Sequence, residues 1–309
     1  MSVVSSDMAQ QWSTRFETLH LVEYNSAIAV ARQQLDPLLL PITLEDHQGD
    51  EITLDWLGAA PQMRRWVDEK RAQGLNKNSW KVKVENFEAS IEVDLNAFND
   101  ARMNPYELRI REMSRNAARL PYNLISDLIK AGLAAKCYDG QYFYDTDHEE
   151  GDSGAQSNKL VGTGTSQAAI ETDFYAAKAA LMGFKDDKGE PLAPFDFRPV
   201  VWLPNNATLI QRFATLAGAQ MVSQTSNILA GKFDIVVDPR LTDPNDWGMF
   251  RTDTLLKPFI LVNREEPHYE DNFASKAGDV FDRRKGKASV VGRLAAAYGM
   301  WQNGVWTTN

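Results

Sequence analysis

Residues 137 to 154, CYDGQYFYDTDHEEGDSG, gather the single cysteine, one of four histidines and six carboxylates into eighteen positions. Asp145, Asp147 and His148, with Glu149, Glu150 and Asp152 beside them, are oxygen and nitrogen ligands of the kind a metal-dependent hydrolase uses. The spacing does not complete a known site. A calcium loop of the EF-hand type needs a glutamate at its twelfth position, and counting from Asp145 that position is Gln156. A structural zinc site wants several cysteines and histidines, and only Cys137 and His148 are close. Those two can be drawn as nucleophile and base, but no third residue is placed to orient them. The alternative is a loop in which Asp and Gly make local turns, anchored by Tyr138, Tyr142, Phe143 and Tyr144.

Other chemical signals are weaker. GTGTS at 162–166 opens a helical pattern, where free amides favour anions, but it lacks the Gly-Lys-Ser/Thr ending of a P-loop and the third glycine of a dinucleotide fingerprint. There is no G-x-S-x-G elbow and no H-E-x-x-H. The basic run Arg283, Arg284, Lys285 and Lys287 lies between two strand-like segments and reads as a solvated turn. On residues alone, no catalytic residue, cofactor or metal is expected.

The elements around these motifs are mixed. Apolar residues alternate at Trp80, Val82 and Val84, then resume on the opposite parity at Ile91, Val93 and Leu95. One strand cannot change parity without exposing its core face, so a β-hairpin with a turn near Glu85 to Phe87 is expected. Its polar positions, Lys81, Lys83, Glu92 and Asp94, pair across the hairpin, face solvent or meet another subunit. Asn104 as N-cap, Pro105 and Glu107 open a helix whose stripe runs through Ile110, Met113, Ala117, Leu120, Leu124 and Leu128. Pro121 predicts a kink, and Gly132 the C-terminal cap. Ser166 caps a second helix, through Ile170, Phe174, Ala177 and Leu181; a third runs through Leu209, Phe213 and Leu216. RPVVWLP (198–204), FDIVVDP (233–239) and PFILVNR (258–264) read as strands, and 287–301 as strand in preference to helix. Residues 1–35 fit either a packed helix or an extended arm. The order lacks regular βαβ alternation, which points to α+β.

The chain has 309 residues, 43% hydrophobic and 10% aromatic, including eight tryptophans, so it has material for a sizeable core. Net charge is −9, which repels polyanions and argues against a dedicated nucleic-acid binder. Asp7, Arg15 and Glu17 interrupt the first twenty residues, so no secretory signal is expected. No apolar run approaches the roughly 18–20 residues of a membrane span, and a lone Cys137 cannot form an internal disulfide.

Several stretches together resemble the major head (capsid) proteins of Mu-type tailed phages and Mu-like prophages. They are WLGAAPQMRRWVDEKRAQGL (56–75), FEASIEVDLNAF (87–98), ARLPYNLISDLIKAG (118–132), CYDGQYFYDTDHEEG (137–151), NILAGKFDIVVDPRLTDPNDW (227–247), KPFILVNREEP (257–267) and VVGRLAAAYGMWQNGVW (290–306). The resemblance runs over about residues 50–309 and implies a Hong Kong 97-like capsid fold. It implies an N-terminal arm region (1–55), an E-loop region (56–100), a P-domain with a long spine helix (101–154), an A-domain (155–255) and return strands of the P-domain (256–309). The function implied is a non-enzymatic virion subunit assembling with itself into hexamers and pentamers of an icosahedral head around double-stranded DNA. It would assemble in the bacterial host cytoplasm with separate scaffold, portal and decoration proteins and no membrane. Trp80, Lys81, Lys83, Glu85, Phe87, Glu88, Glu92, Asp147, His148, Arg283 and Arg284 are then candidate contacts between subunits. The alternatives are an encapsulin-like cargo nanocompartment and the metal-dependent hydrolase on Asp145, Asp147 and His148.

Overall fold

A computed structural model describes residues 6–43, 51–57, 77–100, 102–192, 196–222, 225–273, 280 and 283–309. Helix α1, Ser6–Leu35, takes the packed alternative for the N-terminal segment. Its 30 residues span roughly 45 Å at 1.5 Å per residue. Phe16, His20 and Tyr24 recur at spacings of four and are buried. They face α3, Asn104–Ala118, where Glu23 accepts from Arg111 at 2.5 Å and Arg115 at 2.8 Å. Those two guanidinium hydrogen bonds hold the Glu23 carboxyl below the ordinary carboxylate range.

The predicted long helix is two. After α3, Arg119 interrupts the ladder and α4 runs Leu120–Ala131, with Pro121 in its first turn. The proline has no N–H and its ring crowds the carbonyl four residues back, so the helix restarts around it. At the start of α3 the cap is Met103, not Asn104; Asn104 and Pro105 lie inside the first turn, where a missing N–H costs nothing. Gly132 caps α4 as expected.

The hairpin expected over 80–95 does not form. Its two halves are β3, Lys77–Lys83, and β4, Glu85–Asp94, and they pair with different partners. β3 runs antiparallel to β2, Glu51–Leu57, whereas β4 runs antiparallel to β12, Lys285–Tyr298. The parity change at Val84 arises because the halves bury into different cores. Val82 and Val84 join Ile52, Val262 and Ala295, while Val93 and Leu95 join Phe16, Ile110 and Phe273.

A four-stranded sheet has the order β1 (Leu39–Thr43), β11 (Phe259–Asp271), β12 and β4. β1 is parallel to β11 and the other pairs are antiparallel. The segment expected over 287–301 is thus strand as far as Tyr298, and β11 is longer than its sequence signal because residues 264–271 continue past a register shift. Pro267 lies against Gly292 there, 3.2 Å from where a Cβ would stand.

A second sheet, five-stranded, has the order β5 (Lys159–Val161), β13 (Gly304–Thr308), β10 (Trp247–Phe250), β6 (Val200–Pro204) and β9 (Asp234–Asp238). α5, Gln167–Gly183, and α6, Ala207–Gly218, supply Phe174 and Phe213 to its core. Trp202, Trp247 and Trp301 are fully buried in the same core. A 3₁₀ turn, Trp301–Asn303, joins β12 to β13, so the last part of the chain crosses from one sheet to the other. Residues 58–76, which hold most of the 56–75 match, lie outside the described residues.

Candidate functional site: an inward loop and an outward track

The loop after α4 is held by its backbone first. Cys137 N–H donates to the Gln141 carbonyl at 2.8 Å, and Tyr144 N–H to that of Gly132 at 2.9 Å. Gly140 turns the chain at φ +87°, a value glycine adopts without strain. His148 and Gln156 exchange both backbone hydrogen bonds, at 3.0 and 2.8 Å. Phe143 and Tyr144 then enter the core edge to face, 4.9 Å apart, with Phe143 stacked on Tyr298 at 4.5 Å and Tyr144 on Trp306 at 5.2 Å. The loop therefore clamps the end of α4 to both sheets.

The carboxylate that organises this loop is Asp139. Its Oδ1 accepts from Cys137 Sγ at 3.0 Å and from the Gln141 amide at 3.0 Å, and its Oδ2 lies 2.6 Å from His148 Nδ1. Burial pushes the Asp139 carboxyl up, but the hydrogen bonds from His148 and Cys137 outweigh it and hold it below the ordinary range. Burial and the neighbouring Asp139 push the Cys137 thiol well up, which keeps it protonated and unreactive at neutral pH. His148 is fully buried and stacks parallel on Trp301 at 4.1 Å. Glu150 meets the Tyr138 hydroxyl, and burial raises its carboxyl.

The ligand set that the sequence offered only as an alternative does not assemble. Asp145 caps its own turn, accepting from Tyr142 N–H at 3.2 Å and Thr146 N–H at 2.8 Å. Asp147 is exposed, and His148 turns inward to Asp139. A hydrolase centred on Asp145, Asp147 and His148 has no common centre to act from. His148 is also withdrawn as a contact between subunits, since a side chain with 0% exposure has no surface to offer. The 162–166 loop is likewise occupied by its own chain. Thr163 N–H donates to Asp173 at 2.9 Å, Gly164 N–H to Asn309 Oδ1 at 3.2 Å, and Ser166 caps α5.

The remaining candidates form a track on the outside. Lys81, Lys83, Glu85, Glu88 and Glu92 are exposed, and Trp80 and Phe87 are half-buried. β4 is the outermost strand of its sheet among the described residues, with one edge not paired in the subunit. The ion pairs here are open to water: Lys81 lies 3.9 Å from Glu51, and Lys285 meets Glu92. Arg284 takes a left-handed turn at φ +54° and donates to Asn96 Oδ1 at 3.0 Å, beside exposed Arg283. Sequence reading missed Asp139 as the organiser. The Asp-Gly dipeptide at 139–140 marks a turn, but nothing local shows which way that carboxylate faces.

This α+β arrangement, with a two-part helix over one sheet, a second sheet reached by the returning chain, and a two-stranded ribbon, is the Hong Kong 97-like fold of phage capsid proteins. The procapsid protein of bacteriophage JBD30 aligns over 96% of this chain and 74% of its own, at a TM-score of 0.56 and 19% identity. A virus-like particle from Pyrococcus furiosus aligns over 96% of this chain and 99% of its own, at a TM-score of 0.55 and 11% identity. Residues 19–172 and 242–308 match the Mu-like prophage major head subunit gpT family, and the chain belongs to it. The major capsid protein of Escherichia phage Mu is 33% identical over 96 residues, a stretch spanning 31% of this chain and only 32% of that relative.

Proposed function

We propose that this chain is the shell-forming subunit of a phage head. It would assemble with itself into hexamers and pentamers that close around double-stranded DNA. The observation that carries the reading is the family match on both sides of the second sheet's α5–β9 region, together with a capsid fold along nearly the whole chain.

In this reading α3 and α4 are the spine of a P-domain, with the β1–β11–β12–β4 sheet behind them. Residues 155–255 form the A-domain, and β2 with β3 is the root of the E-loop. The N-terminal region is not a free arm over its described residues; α1 lies against α3 and would reach neighbours from its exposed face, where Leu21, Val22 and Val30 stand in solvent. Contacts between subunits fall on Trp80, Lys81, Lys83, Glu85, Phe87, Glu88 and Glu92, with Asp147, Arg283 and Arg284 nearer other edges. Binding energy spread over such repeated heterologous interfaces closes a shell without any one strong contact. The work is mechanical, so no catalytic residue is assigned. Assembly would take place in the host cytoplasm, with scaffold, portal and decoration proteins as further partners.

Negative-stain microscopy of the purified chain tests this. Rings, capsomers or closed shells are expected, and nucleic acid inside particles formed in infected or induced cells. A chain that stays monomeric under every assembly condition would refute the reading. Shells filled with enzyme cargo would instead favour a nanocompartment, which the head-subunit family match does not support.

A further inference from the structure

We propose that Cys137, Asp139 and His148 form a binding site for one divalent cation of the zinc class, which would staple the loop between α4 and the second sheet. A thiol sulfur, a carboxylate oxygen and an imidazole nitrogen from these residues lie within 4.8 Å of one another. They are three ligand types zinc takes together. Of the three, only His148 belongs to the Asp145–Asp147–His148 set that the sequence suggested.

Charge argues in the same direction. Asp139 is 8% exposed at its side chain, and the groups acting on it most strongly are His148, Cys137 and the Gln141 amide, none of them a permanent cation. The other ring nitrogen of His148, Nε2, is buried without a hydrogen-bond partner. A divalent cation with the Cys137 thiolate and the Asp139 carboxylate makes a neutral centre. On binding, the thiol proton leaves to solvent.

The geometry needs a local rearrangement. His148 Nδ1 and Cys137 Sγ lie on different oxygens of the Asp139 carboxylate, at 2.6 Å from Oδ2 and 3.0 Å from Oδ1. A metal would replace these hydrogen bonds, taking one carboxylate oxygen and drawing the three ligand atoms, now within 4.8 Å of one another, to the edges of about 3.3–3.5 Å that zinc bond lengths give a tetrahedral shell. The Tyr142 carbonyl oxygen, 4.0 Å from Cys137 Sγ, can supply a fourth ligand. Cys137 and His148 both have 0% exposure, so a metal held here is structural and meets no substrate.

The test is metal content of the full chain purified without chelator, then exposed to excess zinc and passed over a sizing column. About one zinc per chain is expected in the wild type, falling at least about tenfold in Cys137→Ser and Asp139→Asn, with a wild-type melting midpoint several degrees higher than after chelation. Because a variant may fail to fold, cobalt(II) is added to the wild type as well. A thiolate-to-cobalt charge-transfer band in the near ultraviolet is expected, since Cys137 is the chain's one sulfur of that kind. A wild-type chain that retains no stoichiometric zinc, gives no such band and melts at the same temperature with and without chelator would leave a hydrogen-bonded cluster only, and overturn the site. Shell formation is read separately by microscopy. Shells without metal refute this site alone, whereas a metal-loaded chain that never assembles refutes the capsid reading alone.

Discussion

The 137–156 loop and the β3–β4 track are both rich in charged residues, yet they use them oppositely. In the loop, Asp139, Asp145 and Glu150 are spent on the protein's own donors. Along the track, Lys83, Glu85, Glu88 and Glu92 stand in water around an edge strand. An unpaired edge with charged side chains is how soluble subunits avoid indiscriminate pairing while keeping a surface for a specific partner. Polar density in sequence thus marks a folding device in one region and, in the other, an exposed edge that is the proposed assembly surface.

Substitutions separate the two. The largest effect is expected for Trp301→Ala, which removes the ring beneath His148 from a fully buried site. It should cost about 3–5 kcal/mol in chemical denaturation and abolish particles by unfolding the subunit. Gly132→Ala comes next. The added Cβ would stand 2.4 and 2.5 Å from ring atoms of Tyr144, which is buried and held by Trp306, so a loss of about 1–3 kcal/mol is expected in the same assay.

A smaller effect is set by pH. Burial lowers the pKa of His20, which sits between Ser114 Oγ at 3.0 Å and the Pro267 carbonyl at 3.3 Å. The unfolded chain therefore binds a proton that the folded chain resists, and stability falls as pH drops below about 6.5. Glu23 adds a second loss as pH falls through its depressed folded value, because its lowered carboxyl stabilises the fold only while ionised. His268, whose pKa is raised, acts in the opposite sense above its ordinary value. The difference in melting midpoint between wild type and His20→Asn isolates the first step. It should change between pH 7 and pH 5, and a pH-independent difference would contradict it.

The smallest effect on the subunit is expected at the track. Glu88→Lys with Glu92→Lys should move stability by no more than about 0.5 kcal/mol, since exposed pairs of this kind contribute little. Particle yield by microscopy should nevertheless fall sharply. If the double variant assembles like the wild type, the track is not the assembly surface.

Much of this was legible locally. The caps at Ser166 and Gly132, the break before Pro121 and the strand at 287–298 all depend on residues within a turn of each other. What was not legible depended on distant chain. His148 is buried because Trp301 arrives 153 positions later. The parity change at Val84 looked like a turn, and only the arrival of β2 and β12 made it a passage between two cores. α1 was undecided because its polar sequence is stabilised by Arg111 and Arg115 of another helix.

Hydrogen exchange on assembled against dissociated subunits tests the division most directly. The account predicts that amides of 77–94 gain protection in shells while those of 137–156 are already protected in the free subunit and change little. Equal exchange of 77–94 in both states, or protection of 137–156 gained only on assembly, would contradict it.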